Sequence, residues 1–209
     1  PPDTGNMEVL AKYGTAEQKK RWLVPLLEGS IRSAFLMTEP EVASSDPANL
    51  QTSIVREGDE YVINGRKWFA SNASHANCEF LIVVGVTDSD APKTRRQSMI
   101  IVPRAAHGLS FKRDLPVFDH VSPTNTHPEF RMENVRVPAE NLLGEEGAGF
   151  AMGQARLGPA RLHHCMRAIG MAEKALELAI KRGLSRVAFG KPLVKLGGNG
   201  ERIAEARML

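Results

Sequence analysis

The sequence predicts an α+β protein of several parts: the end of a helical N-terminal domain over 1–30, a small antiparallel β-barrel domain over 31–144, and the start of a helical domain over 145–209. Three observations predict it. A capped amphipathic segment lies near the start, seven short β-type runs fall between 31 and 137, and a long stretch of helix formers follows Gly149. The 209 residues are 42% hydrophobic and 24% charged, with a mean hydropathy of −0.25, which is ordinary for a soluble globular chain. No run of about 18 apolar residues exists, so no membrane-spanning helix is expected. Two cysteines, Cys78 and Cys165, make no disulfide framework and fit a reducing compartment. A net charge of +3 is too balanced to imply a polyanion partner.

Each element follows from local chemistry. In Gly14-Thr15-Ala16-Glu17-Gln18, Thr15 and Gln18 fit a capping box, and Trp22, Leu23, Leu26 and Leu27 form an apolar stripe behind it. Pro25 is expected to distort the last turn, and Gly29 to stop the helix. The β runs are Ile31–Met37, Leu50–Arg56, Glu60–Asn64, Phe80–Thr87, Met99–Pro103, Leu109–Arg113 and Phe130–Val137. Glu57-Gly58-Asp59 reads as a hairpin turn. Residues 87–97 read as an exposed loop, and 114–128 as a long irregular or functional one. Over 150–188, Met166, Ile169, Gly170, Ala172, Leu176, Ala179 and Ile180 recur at helical spacing. Gly158-Pro159 is expected to kink that helix, Gly183 to weaken it, and Gly190-Lys191-Pro192 to end it; a second helix begins near Glu201. The chain opens Pro1-Pro2-Asp3-Thr4 without Met and stops at Leu209 inside a helical segment, so a piece of a longer protein is expected.

Three segments carry candidate chemistry. Phe35-Leu36-Met37-Thr38-Glu39-Pro40-Glu41-Val42-Ala43-Ser44-Ser45-Asp46 runs from a strand into a loop of hydroxyls and free N–H groups. Such a loop suits a flavin edge or a phosphate, and equally suits a capped turn. Asn64-Gly65-Arg66-Lys67-Trp68-Phe69-Ala70-Ser71-Asn72 sets two aromatics beside a serine, either a wall for a planar cofactor or a core pair. Arg186-Val187-Ala188-Phe189-Gly190-Lys191-Pro192-Leu193 is either a pyrophosphate and adenine contact or a helix end with cations near its last carbonyls.

Other chemistries find little support. His163-His164-Cys165 are adjacent, so a helix points them apart and they cannot share one metal. Gly144 to Gly149 lacks Gly-x-Gly-x-x-Gly and a parallel βαβ context, which argues against a nicotinamide site. Residues 181–209 carry seven Lys/Arg against two Glu, and read as a solvated face rather than a nucleic-acid surface.

In this order, the three segments resemble the acyl-CoA dehydrogenase family. So do Val135-Arg136-Val137-Pro138 with Asn141-Leu142-Leu143-Gly144, and Gly147-x-Gly149-Phe150. Pro2-Asp3-Thr4-Gly5-Asn6-Met7-Glu8 and Leu157-Gly158-Pro159-Ala160-Arg161-Leu162-His163-His164-Cys165-Met166 resemble the subgroup whose eukaryotic members often carry a fused aminoglycoside-phosphotransferase-like domain. The resemblance implies FAD as cofactor and an acyl-CoA substrate, within fatty-acid β-oxidation chemistry. It also implies an electron-transfer flavoprotein as acceptor, a homodimer or homotetramer, and neither nucleic acid nor a membrane span. The location implied is cytoplasmic for a bacterial protein and mitochondrial or peroxisomal for a eukaryotic one.

The resemblance also assigns residues. Phe35, Met37, Thr38, Ser44 and Ser45 would line the flavin and its pyrophosphate, with Thr38 at the pyrimidine edge. Ser45, just before Asp46, takes the place of the family serine that also meets acyl-CoA. Phe69 falls where the family has Trp, Ala70 follows it, and Ser71 falls where the family has Thr that meets flavin N5. Arg186 and Phe189 would reach the FAD of a neighbouring subunit, and Arg161 would contact substrate. The family's base is in most members a Glu beyond the position of Leu209, and in a minority the residue before that Arg. Here that residue is Ala160, so no catalytic base is assigned within the chain. The other readings are a flavin oxidase or monooxygenase on the same fold, and a non-catalytic acyl-CoA-binding scaffold.

Overall fold

A computed structural model describes residues 2–122 and 124–209. Pro1 at the chain opening and Pro123 in the 114–128 segment lie outside them. The chain divides into two units, one ending at Leu157 and the other Gly158–Leu209.

The first unit opens with helix α1 (Asp3–Tyr13), which the sequence reading did not identify. No side chain caps its start, and Gly5 and Asn6 are weak helix formers, so the local signal is faint. The expected capping box is present: Thr15 Oγ1 accepts from Gln18 N–H at 3.2 Å, and Gln18 Oε1 accepts from Thr15 N–H at 3.0 Å. It opens α2 (Ala16–Gln18), which passes through a π turn (Lys19–Leu23) into α3 (Val24–Glu28). The distortion therefore precedes Pro25 rather than following it. The wider turn takes up the ring that a regular helix would push against the preceding carbonyl. Gly29 stops the helix in the left-handed conformation, φ 75°.

All seven β runs are strands: β1 (Arg32–Leu36), β2 (Ser53–Glu57), β3 (Glu60–Lys67), β4 (Cys78–Val86), β5 (Gln97–Pro103), β6 (Leu109–Asp114) and β7 (Pro128–Pro138). A short β8 (Leu142–Leu143) completes one sheet in the order β6-β7-β3-β2-β4-β5-β8, with β1 added on β4. The hairpin at Gly58-Asp59 pairs Glu57 with Glu60, and Gly58 takes φ 63°.

The expectation of a small antiparallel barrel needs one correction. The sheet is mixed and does not close: β1 runs parallel to β4, and β2 meets β4 in parallel at Ser53 and Val86. Alternation along a strand shows which face each residue takes, but not which strand it pairs with.

The sheet has cores on both faces. Phe80, Ile82, Val84, Met99 and Ile101 pack against Val9, Leu10, Trp22 and Leu26 of the helices. Leu81, Val83, Ile100 and Val102 point the other way, onto Ile54, Tyr61, Ile63, Phe130, Met132 and Val135. Both arms of the sheet share this second core, so the sheet curls around it. That face-by-face alternation leaves the two ends of β1 and β3 to carry the loops that hold the candidate residues.

Helix α4 (Gly149–Ser185) begins in the first unit and continues through Pro159 into the second. It ends at Ser185, five residues before the expected stop. The segment expected to cap a helix end is instead a hairpin of β9 (Val187–Ala188) and β10 (Lys191–Pro192). Phe189 (φ 50°) and Gly190 (φ 72°) form its two-residue turn, the positive-φ pair that a tight hairpin requires. Gly183 lies under Val194, where an added Cβ would sit 3.5 Å from the valine Cβ. Helix α5 (Asn199–Met208) follows as expected, and Arg207 binds both carboxylate oxygens of Glu173 at 2.6 Å. Leu162, Met166, Ile169 and Leu184 of α4 are exposed. Among the described residues no helix is long and apolar enough to cross a membrane, and no group of His, Cys, Asp and Glu forms a metal centre.

Candidate functional site

The strand-to-loop segment after β1 and the segment after β3 lie about thirty residues apart in sequence, and the fold ties them together at three points. Trp68 N–H donates to the Thr38 carbonyl at 3.0 Å. Lys67 Nζ donates to the Met37 carbonyl and to Glu39 Oε1, each at 2.8 Å. Arg66 pairs with Glu41 at 2.7 Å. The two sequence motifs thus form one surface.

Glu39 anchors that surface from beneath. It is buried, and besides Lys67 it accepts from Gln51 N–H (2.7 Å) and Thr52 N–H (2.9 Å). Burial pushes its carboxyl up, but the Lys67 charge and these hydrogen bonds outweigh burial and hold it below the ordinary carboxylate value. Lys67 is fully buried, and desolvation pulls its ammonium down to about 8 against the attraction of Glu39. Lys67 was not singled out as a site residue. The available signal was its phase: Tyr61 and Ile63 point inward along β3, and Lys67 continues the same alternation.

The two adjacent serines have different surroundings. Ser44 Oγ accepts from Glu39 N–H at 2.8 Å and donates to the Glu39 carbonyl at 3.1 Å, closing the loop on itself. Ser45 is exposed, and no hydrogen bond of its hydroxyl occurs among the described residues. Thr38 and Met37 are half-buried. Phe35 is half-buried beneath Arg156, whose guanidinium carbon lies 4.0 Å from the ring centroid. Burial lowers the pKa of Arg156, and its Nε has no hydrogen-bond partner among the described residues.

After β3 the chain turns sharply. Phe69 (φ 50°) and Asn72 (φ 61°) take left-handed conformations that side chains disfavour. Phe69 is 42% exposed, an uncovered aromatic face, and packs edge-on against Trp68 with centroids 5.0 Å apart. Ala70 is buried, its N–H bound to the Pro128 carbonyl. Ser71 is half-buried, and its Oγ lies 3.1 Å from Nδ1 of His127. A groove of about 930 Å³ adjoins this junction, lined by Glu39, Glu41, Arg66, Arg113, Glu129 and Arg131 among others. Buried Glu129 binds Arg66 (2.5 Å) and Arg113 (2.9 Å) there, and none of the motif hydroxyls lines it.

In the second unit, Arg161 lies on α4, Arg186 directly follows that helix, and Phe189 stands at the hairpin tip, 95% exposed. Its ring touches little within its own unit.

The first unit's donor set suits a flavin. A planar ring needs an aromatic or apolar wall, and the uncovered ring of Phe69 offers one. Its polar edges need hydrogen-bonding groups, and the hydroxyls of half-buried Thr38, exposed Ser45 and half-buried Ser71 are of that kind.

The middle domain of acyl-CoA dehydrogenases matches residues 34–135, and the C-terminal domain matches 147–208. The chain belongs to the acyl-CoA dehydrogenase family. A relative in Mycobacterium tuberculosis, named "Probable acyl-CoA dehydrogenase FadE2", is 55% identical over 99% of this chain and 50% of its own length. An acyl-CoA dehydrogenase structure from Mycobacterium abscessus superposes with a TM-score of 0.92 at 54% identity, covering 99% of this chain and 51% of that one. A glutaryl-CoA dehydrogenase from Mycobacterium smegmatis in complex with FADH2 gives a TM-score of 0.80 at 28% identity, covering 96% and 49%. The chain spans about half the length of each.

Proposed function

We propose that the chain is the flavin-binding middle part of an FAD-dependent acyl-CoA dehydrogenase. The reaction converts an acyl-CoA thioester to the trans-2-enoyl-CoA and passes the electrons to an electron-transfer flavoprotein. The observation that supports this reading is the joining of Met37–Glu39 to Lys67–Trp68, which brings together the two segments that carry Thr38, Phe69 and Ser71. When bound, FAD supplies a hydride acceptor.

The chain's own residues hold and orient. Thr38 binds the polar edge of the ring, Ser71 meets N5, and Phe69 and Met37 cover the ring face. Ser45 reaches the cofactor and the acyl-CoA, because Ser44 is already committed to the loop. Arg161 contacts substrate. Arg186 and the exposed Phe189 reach the cofactor of a second subunit in a homodimer or homotetramer. Ala160 carries only a methyl group and takes no proton, so the base belongs to another segment.

The test is FAD uptake by the intact protein, followed by anaerobic addition of acyl-CoA. A yellow protein that acyl-CoA bleaches, with enoyl-CoA formed, supports the reading. Bound flavin that no acyl-CoA bleaches favours an oxidase acting on another substrate or an inert acyl-CoA binder. A protein that takes up no FAD contradicts the reading altogether.

A further inference from the structure

A second polar side chain stands against Ser71. Ser71 Oγ lies 3.1 Å from Nδ1 of His127, a residue outside every motif that carries the family resemblance. Backbone bonds hold the two residues opposite each other. Ala70 N–H donates to the Pro128 carbonyl (3.1 Å), Asn72 N–H to the Thr126 carbonyl (2.9 Å), and Leu115 N–H to the carbonyl of His127 itself (3.0 Å). Ala70 and Asn72 flank Ser71, while Thr126 and Pro128 flank His127, so the side chains of the facing pair meet on one side. The pairing is buttressed further along, where Ser74 Oγ binds Thr126 Oγ1 at 2.7 Å and Asp114 Oδ1 at 3.0 Å. The Phe69 ring lies 6.3 Å from the imidazole, centroid to centroid.

A serine hydroxyl has one proton to give and two lone pairs to offer. When Nδ1 carries the imidazole proton it donates to Ser71, and the serine proton is left to point outward. When Nδ1 carries a lone pair, Ser71 spends its proton on the imidazole and presents only lone pairs. Oxidised flavin N5 is an acceptor and needs the proton; reduced N5 bears hydrogen and needs the lone pair.

We propose that His127 is a positioning residue for the cofactor: it orients the Ser71 hydroxyl toward flavin N5 and sets whether that hydroxyl donates or accepts. The inference rests on the FAD reading above.

Two measurements test it. In protein labelled with ¹⁵N-histidine, adding FAD to the apo form is expected to shift the His127 ring nitrogens, and Ser71→Ala is expected to abolish that shift. In the holoenzyme, His127→Leu is expected to slow flavin reduction by acyl-CoA about tenfold, the size of one lost hydrogen bond. KM should change by less than about twofold, and adding Ser71→Ala should cost nothing more. His127→Asn, which keeps a side-chain amide near the place of Nδ1, should restore most of the rate and covers the case in which the leucine variant fails to fold. Ring nitrogens that ignore FAD, a His127→Asn variant no better than a folded His127→Leu, or losses that multiply in the double variant overturn the proposal. Failure of wild-type protein to take up FAD overturns the cofactor reading, whereas normal flavin reduction in folded His127→Leu overturns this inference alone.

Discussion

Lys67 Nζ sits 2.8 Å from Glu39 Oε1, and both side chains are almost wholly removed from water. The pair bridges the end of β3 to the loop after β1. It is the point at which two segments distant in sequence become one surface. A buried pair of this kind adds little net stability against an apolar replacement, but removing one partner leaves a desolvated charge. Lys67→Met is therefore expected to cost about 3–5 kcal/mol in urea unfolding, and Lys67→Met with Glu39→Leu to recover part of it. A single variant as stable as wild type would show that the pair does not hold the loop.

The same lysine gives a pH signature. Its folded-state pKa is lowered from 10.5 to about 8, chiefly by burial. Between those values the unfolded chain binds the proton and the folded protein does not. Stability therefore rises with pH across that window, as the cost of a buried ammonium disappears. Urea midpoints measured from pH 8 to 10 are expected to rise for wild type relative to Lys67→Met. Parallel curves would contradict the assignment.

Ser44 and Ser45 separate structure from ligand. Ser44→Ala breaks the loop's internal bonds and is expected to cost about 1 kcal/mol in thermal unfolding. Ser45→Ala is expected to leave stability unchanged and to weaken acyl-CoA or FAD binding, read by titration. The reverse pattern would exchange their roles.

Asp3 tests the element that the sequence concealed. Its Oδ1 accepts from Ser33 N–H and Ser33 Oγ, both at 2.8 Å, fixing α1 to the start of β1. Asp3→Ala leaves the Ser33 N–H buried and unpaired, and is expected to cost about 2 kcal/mol. Loss of the half-exposed Arg32 contact adds little.

Gly65 tests a close backbone approach. A Cβ there would fall 2.8 Å from Thr52 Cβ and 2.9 Å from Thr52 Cα. The neighbour includes backbone and cannot turn aside, so Gly65→Ala is expected to cost roughly 1–3 kcal/mol in thermal unfolding. A neutral alanine there would mean that the two strands separate more easily than their packing implies.

Features written in adjacent residues were legible in the sequence. The Thr15–Gln18 box, the Gly58-Asp59 turn and all seven strands depend on short spacing, and each appears within a few residues of its expected place. Pairing was not legible, because β1 and β4 are both apolar and nothing in either encodes a parallel neighbour. The turn at Phe189-Gly190 was hidden because a non-glycine at positive φ gives no local signal. The motif residues after β1 and β3 were visible as types, but what joins them was not. Lys67 finds Glu39 twenty-eight residues away, and His127 meets Ser71 fifty-six residues away. Such contacts exist only once the sheet has curled.

The most direct test of the central claim is the visible spectrum of the intact protein, titrated anaerobically with acyl-CoAs of increasing chain length. Stoichiometric FAD whose oxidised band bleaches, with enoyl-CoA as product, is the expected result, and the chain length that bleaches it fastest identifies the substrate. Protein that remains colourless after incubation with FAD, or flavin that no acyl-CoA reduces, would contradict the account.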